Sequence, residues 1–162
     1  MFTKILIPVD GSELSSKAAA AGVNLAKELG ARVVFLHAMV PYIAPYAADV
    51  AMVDDKTQMM FEQGIVDGSA KVLSDAKRLA EKVGISCKTI SEVDSRPEAL
   101  IEKAVQAMAC DLVVIATHGC GALGRLLMGS VTTSLLSILT VPVLIYRDGT
   151  MPGDVESSTA SD

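Results

Sequence analysis

Short apolar runs alternate with segments of helical period along almost the whole chain, and this alternation restricts the fold more than any other feature. Each apolar run has the length of a buried strand and is bounded by glycine, proline or polar turn residues. Strands of this kind, alternating with helices, predict a parallel sheet covered by helices on both faces. The five predicted strands are residues 4–10, 32–40, 85–93, 111–116 and 141–146.

Helices are predicted between these strands from apolar residues spaced three and four positions apart. The first should begin at Ser12, a predicted N-cap, with Glu13 suited to the positive end of the helix dipole, and should stop at Gly30. In the second, Gly64 and Gly68 weaken the first half and predict a kink or a late start. The predicted helices span about 13–29, 59–83, 97–108 and 130–139.

Composition excludes several classes of protein. Among the 162 residues, 51% are hydrophobic and 20% are charged, which excludes a disordered chain. A net charge of −5 and 4% aromatic content disfavour nucleic acid as a partner, because binding it needs a basic face and stacking rings. The longest nearly apolar stretch, residues 134–146, is shorter than the roughly 20 residues of a membrane span, so no membrane partner is expected.

The beginning and the end of the chain also carry expectations. The apolar run before Asp10 is too short for a secretory signal, and an odd number of cysteines without metal spacing suits a reducing compartment. We therefore expect a cytoplasmic protein. One domain is predicted over residues 1–147, followed by a flexible acidic tail over residues 148–162, which has nothing to bury.

The glycine-rich segment 116–130 is the most informative part of the sequence for function. It joins the most apolar strand to the last helix, whose N-terminus offers free amides and a positive dipole end to an anion. Gly119 and Gly129 let a phosphate approach the backbone, and Ser130 and Thr132 are candidate hydroxyl donors. No Asp or Glu occurs from position 112 to 147, so repulsion of a polyanion is small. The alternative is that Ser130 is only an N-cap and that the glycines only shape a surface loop.

Two familiar nucleotide motifs match this segment in part. Gly119-Cys-Gly-Ala-Leu-Gly124 fits G-x-G-x-x-G, but the dinucleotide fold also needs an acidic residue about 20 positions later, and residues 112–147 contain none. The same residues begin a P-loop pattern, yet Arg125-Leu126 replaces the Lys-Ser/Thr pair that would bind phosphate and magnesium. Both motifs are rejected.

Five short motifs follow one another at specific spacings along the chain. They are Ile-Pro-Val-Asp-Gly-Ser at 7–12, Leu-His-Ala at 36–38, Asp-Leu-Val-Val-Ile-Ala-Thr-His-Gly at 111–119, Leu-Leu-Met-Gly-Ser-Val-Thr at 126–132 and Val-Pro-Val-Leu-Ile at 141–145. In this order they resemble the universal stress protein family, from Lys4 to about Arg147. The resemblance implies an α/β, Rossmann-like fold that binds an adenine nucleotide. Its open five-stranded parallel sheet has strand order 3-2-1-4-5, with helices on both faces.

The chain resembles the ATP-binding branch of that family, whose signature is Gly-x2-Gly-x9-Gly-Ser/Thr. Gly119, Gly129 and Ser130 match it, and Ala116 replaces the first glycine, which adds one methyl where the ribose passes and weakens binding without forbidding it. The resemblance implies ATP or AMP as the ligand, with any Mg²⁺ held by the phosphates. The nucleotide-binding residues that it implies are Pro8, Val9, Asp10, Ala38, Ala116, His118, Gly119, Gly129, Ser130, Val131 and Thr132.

The resemblance also divides these residues among the parts of the nucleotide. The phosphates are expected at Gly119 and at residues 129–132, and the ribose near Ala116. The adenine and ribose are expected to meet residues 8–10, while the backbone of Ala38 reads the adenine edge.

Some candidate residues have a simpler interpretation. Asp10 contacts the nucleotide or only caps the first helix. His37 and His118 have no carboxylate partner nearby in sequence, so structural or loop roles are favoured. A redox role for Cys120 is not favoured, because no lysine neighbours it. Arg125 either pairs with a phosphate or is a solvated surface residue.

Three functions are compatible with the sequence. The first is a regulatory stress-response protein that binds ATP or AMP and acts as a homodimer through Val141 to Tyr146, an apolar strand expected at a sheet edge. The second is a stress protein that binds no nucleotide and acts only through protein partners. The third is a slow ATPase, for which the segment supplies neither a base nor an acid to hold Mg²⁺. We assign no catalytic residue.

Overall fold

The computed structural model describes residues 1–39, 55–117 and 129–147, and within them strands and helices alternate as predicted. The elements are β1 (Lys4–Pro8), α1 (Glu13–Leu29), β2 (Arg32–Met39), α2 (Asp55–Lys82), β3 (Cys87–Val93), α3 (Pro97–Met108), β4 (Leu112–Ala116), α4 (Ser130–Ile138) and β5 (Val143–Tyr146). Residues 148–162, the predicted acidic tail, lie outside the described residues.

All five strands are parallel, and their order is β3-β2-β1-β4-β5, as the family resemblance implied. Several predicted boundaries differ from the structure: β1 ends at Pro8 and not at residue 10, and β3 starts at Cys87 and not at residue 85. β5 starts at Val143 instead of at residue 141, because Pro142 has no N–H and enters the ladder only through its carbonyl, which accepts from the Val113 amide at 3.0 Å. α2 begins at Asp55, before Gly64, so the late start expected there does not occur.

The core has two layers because side chains alternate across each strand. Ile5, Ile7 and Val114 face the layer formed with α1 and α2, while Leu6 and Val113 face the layer formed with α3 and α4. Helices therefore cover both faces, as predicted. No helix in the described ranges is long and apolar enough to cross a membrane.

The amino ends of the two central strands are tied together by one carboxylate. Asp111, just before β4, accepts hydrogen bonds from the amides of Thr3 (2.8 Å) and Lys4 (2.9 Å) and from the Thr3 hydroxyl (2.8 Å). Burial alone would raise the pKa of Asp111, but these hydrogen bonds outweigh it and hold the pKa below its ordinary value. The clamp aligns β1 with β4, the two strands from which the candidate site is built.

Candidate functional site

The strand order reverses at β1, which has β2 on one side and β4 on the other. In open parallel sheets, ligands bind beyond the carboxyl ends of the strands at such a switch point. The β1–β2 ladder continues to Pro8↔Leu36, but the β1–β4 ladder stops at Leu6↔Val113, although β4 itself continues to Ala116. Pairing between the two central strands therefore ends early, on the side of the sheet where a crevice is expected.

Two hydrogen bonds fix the chain where it leaves β1. The Val9 amide donates to the Leu36 carbonyl at 2.8 Å, and His37 Nδ1 lies 2.7 Å from the Val9 carbonyl oxygen. A carbonyl only accepts, so Nδ1 carries the proton in this contact. The contact gives His37 the structural role that the sequence favoured, and it holds Val9 in position at the carboxyl end of β1.

The start of α1 satisfies its own polar groups. Ser12 is the N-cap, as predicted, and its Oγ accepts from the Ser15 amide at 3.1 Å. Asp10 Oδ1 accepts from the Ser12 amide at 3.0 Å, and the Asp10 amide donates to Ser15 Oγ at 3.2 Å. The turn needs glycine at position 11, where φ is +81°. Asp10 thus makes the turn contact at the start of α1 that was one of its two predicted roles. Its position at the end of β1 is also where the nucleotide contact, the other predicted role, was expected.

Ala38 extends past the end of β1. It lies two positions beyond Leu36, the last β2 residue in the β1–β2 register, and it pairs with Glu92 of β3. Glu92 in turn accepts from Lys103 Nζ of α3 at 2.9 Å. The backbone of Ala38 is therefore held in the sheet through β3, near the exit of β1.

The start of α4 differs from that of α1 because its N-cap residue has no side chain to cap it. Its N-cap is Gly129, with no side-chain cap hydrogen bond, and its first turn contains no acidic residue. The alternative that Ser130 is the N-cap is wrong: Ser130 is the first helical residue, and it is exposed. The first amides of a helix have no partner within it, so the amides of residues 130–132 lie at an uncapped, acid-free helix end.

Two hydrogen bonds attach this helix start to the end of β4. The Gly129 amide donates to the Thr117 carbonyl at 2.7 Å, and the Thr132 hydroxyl donates to the Ala116 carbonyl at 3.0 Å. Thr132 is only 2% exposed, so its hydroxyl, expected to be a phosphate donor, points into the protein. The sequence analysis missed this contact, although the helical spacing of Thr132 and the buried Leu135 on one face would have indicated it.

The predicted site residues therefore form two described groups. The first group lies at the adjacent carboxyl ends of β1 and β2 and contains Pro8, Val9, Asp10 and Ala38. The second joins Ala116, at the end of β4, to the start of α4 through the hydrogen bond from the Thr132 hydroxyl. His118 and Gly119 lie outside the described residues, as do Cys120 and Arg125.

Neither thiol in the described ranges is activated. Burial raises the pKa of Cys110 to about 11, and burial is also the main cause of the raised pKa of Cys87. Within those ranges, no group of three or more His, Cys, Asp or Glu side chains could hold a metal ion.

Comparison with known proteins identifies relatives of the whole described chain. The family model described as the universal stress protein family matches residues 1–147. A universal stress protein of Bacillus subtilis is 29% identical over 154 residues, which cover 91% of this chain and 100% of the relative. One of Thermus aquaticus is 30% identical over 151 residues, with 91% of this chain and 100% of the relative covered.

Solved structures share the same fold. The universal stress protein UspA of Lactobacillus plantarum superposes with a TM-score of 0.72 at 22% identity, covering 90% of this chain and 98% of that one. An Arabidopsis thaliana family member with AMP bound gives a TM-score of 0.65 at 15% identity, covering 94% of this chain and 97% of that one. An Archaeoglobus fulgidus member in complex with dAMP gives a TM-score of 0.60 at 16% identity, covering 90% of this chain and 97% of that one.

Proposed function

The chain belongs to the universal stress protein family, and on that premise we propose that it binds ATP or AMP and acts as a homodimeric regulatory protein in the stress response. The observation that carries the proposal is the start of α4, which has no side-chain cap among the described residues, has no acid in its first turn, and is hydrogen-bonded to the end of β4. A phosphate would meet free amides, the positive end of the helix dipole and a segment without carboxylates. The AMP and dAMP complexes of structural neighbours support an adenine nucleotide as the ligand.

The proposed position of the nucleotide follows the geometry of the crevice. Its phosphates lie at Gly119 and at the amides of residues 130–132, and its ribose lies near Ala116. Its adenine lies toward the ends of β1 and β2, where the Ala38 backbone extends past Pro8. Position 116 carries alanine, which is only 6% exposed, so its methyl takes little space from a ligand.

The nucleotide is tested on the purified wild-type protein. The protein is denatured and any released nucleotide is identified by chromatography, and calorimetry then measures the affinities of the stripped protein for ATP, AMP and GTP. We expect bound ATP or AMP, or a clear preference for adenine nucleotides over GTP. If the protein releases no nucleotide and binds none, the proposal is overturned. The result would then favour a stress protein that acts only through protein partners.

The homodimer is proposed to form through β5. This strand is one edge of the sheet, and its Leu144 is 40% exposed. The opposite edge, β3, also exposes an apolar residue, Val93, but it carries the exposed Lys88, a charged residue of the kind that discourages strand pairing. An apolar open edge on one side and a charged edge on the other favour pairing of two copies through β5 in an isologous interface.

A charge on β5 tests the dimer. In an isologous interface, Leu144→Lys introduces one like charge from each of the two copies. We therefore expect light scattering to give the mass of a monomer for the variant at micromolar concentration and that of a dimer for the wild type. Thr89→Lys, at an exposed position on β3, is the matched control and should leave the mass unchanged. A wild-type mass of one chain, or dissociation by the Thr89 variant alone, would contradict the proposed interface.

A further inference from the structure

The first turn of α4 contains two hydroxyls of the predicted phosphate site, and the structure places them in different surroundings. Ser130 is exposed at the first helical position, whereas Thr132 is 2% exposed. The Thr132 hydroxyl is 3.0 Å from the Ala116 carbonyl oxygen, to which it donates. A hydroxyl has one proton, so the proton that Thr132 gives to Ala116 is not available to a phosphate.

This hydrogen bond connects the two parts of the proposed site. Ala116 is the last residue of β4, where the ribose is proposed to lie, and Thr132 stands in the helix turn whose amides are proposed to bind phosphate. A second described hydrogen bond also joins the end of β4 to the start of α4: the Gly129 amide donates to the Thr117 carbonyl at 2.7 Å. The Gly129 bond fixes the N-cap, and the Thr132 bond holds the first turn against the end of β4, while Leu135, one turn further, anchors the helix in the core.

We infer that Thr132 is a positioning residue, which orients the first-turn amides of α4 toward the phosphates through Ala116 and does not itself bind the nucleotide. The inference rests on the proposed function, because it concerns the phosphate end of the same site. Its consequence is specific: loss of the hydroxyl misdirects the amides and weakens binding of the phosphates, while the contacts to adenine and ribose at β1 and β2 remain.

The neighbouring residue provides a matched control. Thr133 also donates its hydroxyl to a backbone carbonyl, that of Gly129 at 3.1 Å, but it is exposed and the bond stays within the helix. Thr132→Val and Thr133→Val remove the same hydroxyl and keep nearly the same shape. Only the first removes a contact between the helix and β4.

The experiment compares affinities for ATP and for adenosine by calorimetry on stripped protein. For Thr132→Val we expect ATP affinity to fall about ten-fold, an effect of the size of one hydrogen bond, because the first-turn amides lose the contact that orients them toward the phosphates. Adenosine affinity should stay within about two-fold of wild type, as expected for independent sites. Thr132→Ser, which keeps the hydroxyl, should restore ATP affinity, and Thr133→Val should leave both affinities unchanged. Thermal unfolding without ligand verifies that each variant is folded, and Thr132→Ala replaces the valine variant if that one is not.

The outcomes separate this inference from the proposed function. If wild-type protein binds neither ATP nor AMP, the proposed function and the inference fail together. If the wild type binds ATP and Thr132→Val binds it equally well, the inference alone is wrong. An equal loss of ATP and adenosine affinity, or no rescue by serine, would also overturn it, because either result would mean a general packing role.

Discussion

The starts of α1 and α4 lie in the same kind of place, after a central strand at the carboxyl edge of the sheet, yet they are built in opposite ways. At α1, the Ser12 side chain accepts from the Ser15 amide and Glu13 stands in the first turn. At α4, Gly129 offers no side chain and the first turn has no acid. The N-cap side chain of one helix accepts from a first-turn amide, and the N-cap residue of the other has no side chain to do so. The comparison shows that a helix N-terminus suits an anion only where the protein does not already fill that role.

The start of α3 is intermediate between them. Its N-cap, Arg96, makes no side-chain cap hydrogen bond, but Pro97 opens the helix and Glu98 stands in the first turn. Asp94 also accepts from the Arg96 amide at 2.9 Å. Absence of a side-chain cap therefore does not by itself distinguish α4 from α3. The difference is that acidic groups surround the start of α3, and an anion would be repelled there.

The largest expected effect comes from placing an acid at the start of α4. Gly129→Glu should lower ATP affinity by about 100-fold or more, because like charges about 4 Å apart repel by about 4 kcal/mol at an effective dielectric constant of 20. The backbone at Gly129 has φ −61°, which any residue adopts, so the variant should fold. Calorimetry with ATP measures the loss.

The control for this variant is Gly129→Gln, which adds the same bulk without the charge. Its loss of affinity should be clearly smaller than that of the glutamate variant. Unchanged ATP affinity in folded Gly129→Glu protein would refute the proposed position of the phosphates, and equal losses in both variants would assign the effect to bulk alone.

The reverse experiment removes the cap of α1. Ser12→Ala should lower the free energy of unfolding by about 1 kcal/mol, because the Ser15 amide loses its acceptor, and should leave ATP affinity unchanged. Ser16→Ala removes an exposed hydroxyl from the same helix and should cost much less. Denaturant unfolding gives the stability of both variants. A cost for Ser12→Ala no greater than for Ser16→Ala would mean that the start of α1 is not stabilised by its cap.

The smallest expected effect is at Ala116, where the crevice meets the start of α4. Ala116→Gly restores the family signature and should leave ATP affinity equal or raise it modestly, since one methyl group is worth about 0.8 kcal/mol at most. Calorimetry on a variant of matched thermal stability measures this change. A substantial loss of affinity would show instead that the Ala116 methyl packs usefully against the ligand.

Most of the fold was predictable because its signals are local. Ser12 and Gly30 were identified as helix ends from residue type alone, and the structure confirms them as the N-cap and the left-handed C-cap of α1. The boundary errors occurred where local signals competed. Gly64 and Gly68 suggested a late start for α2, but the helix begins at Asp55 and continues through both glycines into the half that packs on the core with Leu73, Ala76 and Ala80.

The sequence by itself determined the order of strands and helices, the parallel sheet and the acid-free character of residues 112–147, because these follow from residue type and spacing. The strand order followed from resemblance to a family and was confirmed by the structure. Only the tertiary structure decided that Gly129 and not Ser130 is the N-cap, and that the Thr132 hydroxyl donates to Ala116, 16 positions away. The physical reason is that a hydroxyl bonds to whichever acceptor packing brings within reach, and the docking of α4 on β4 chooses that acceptor.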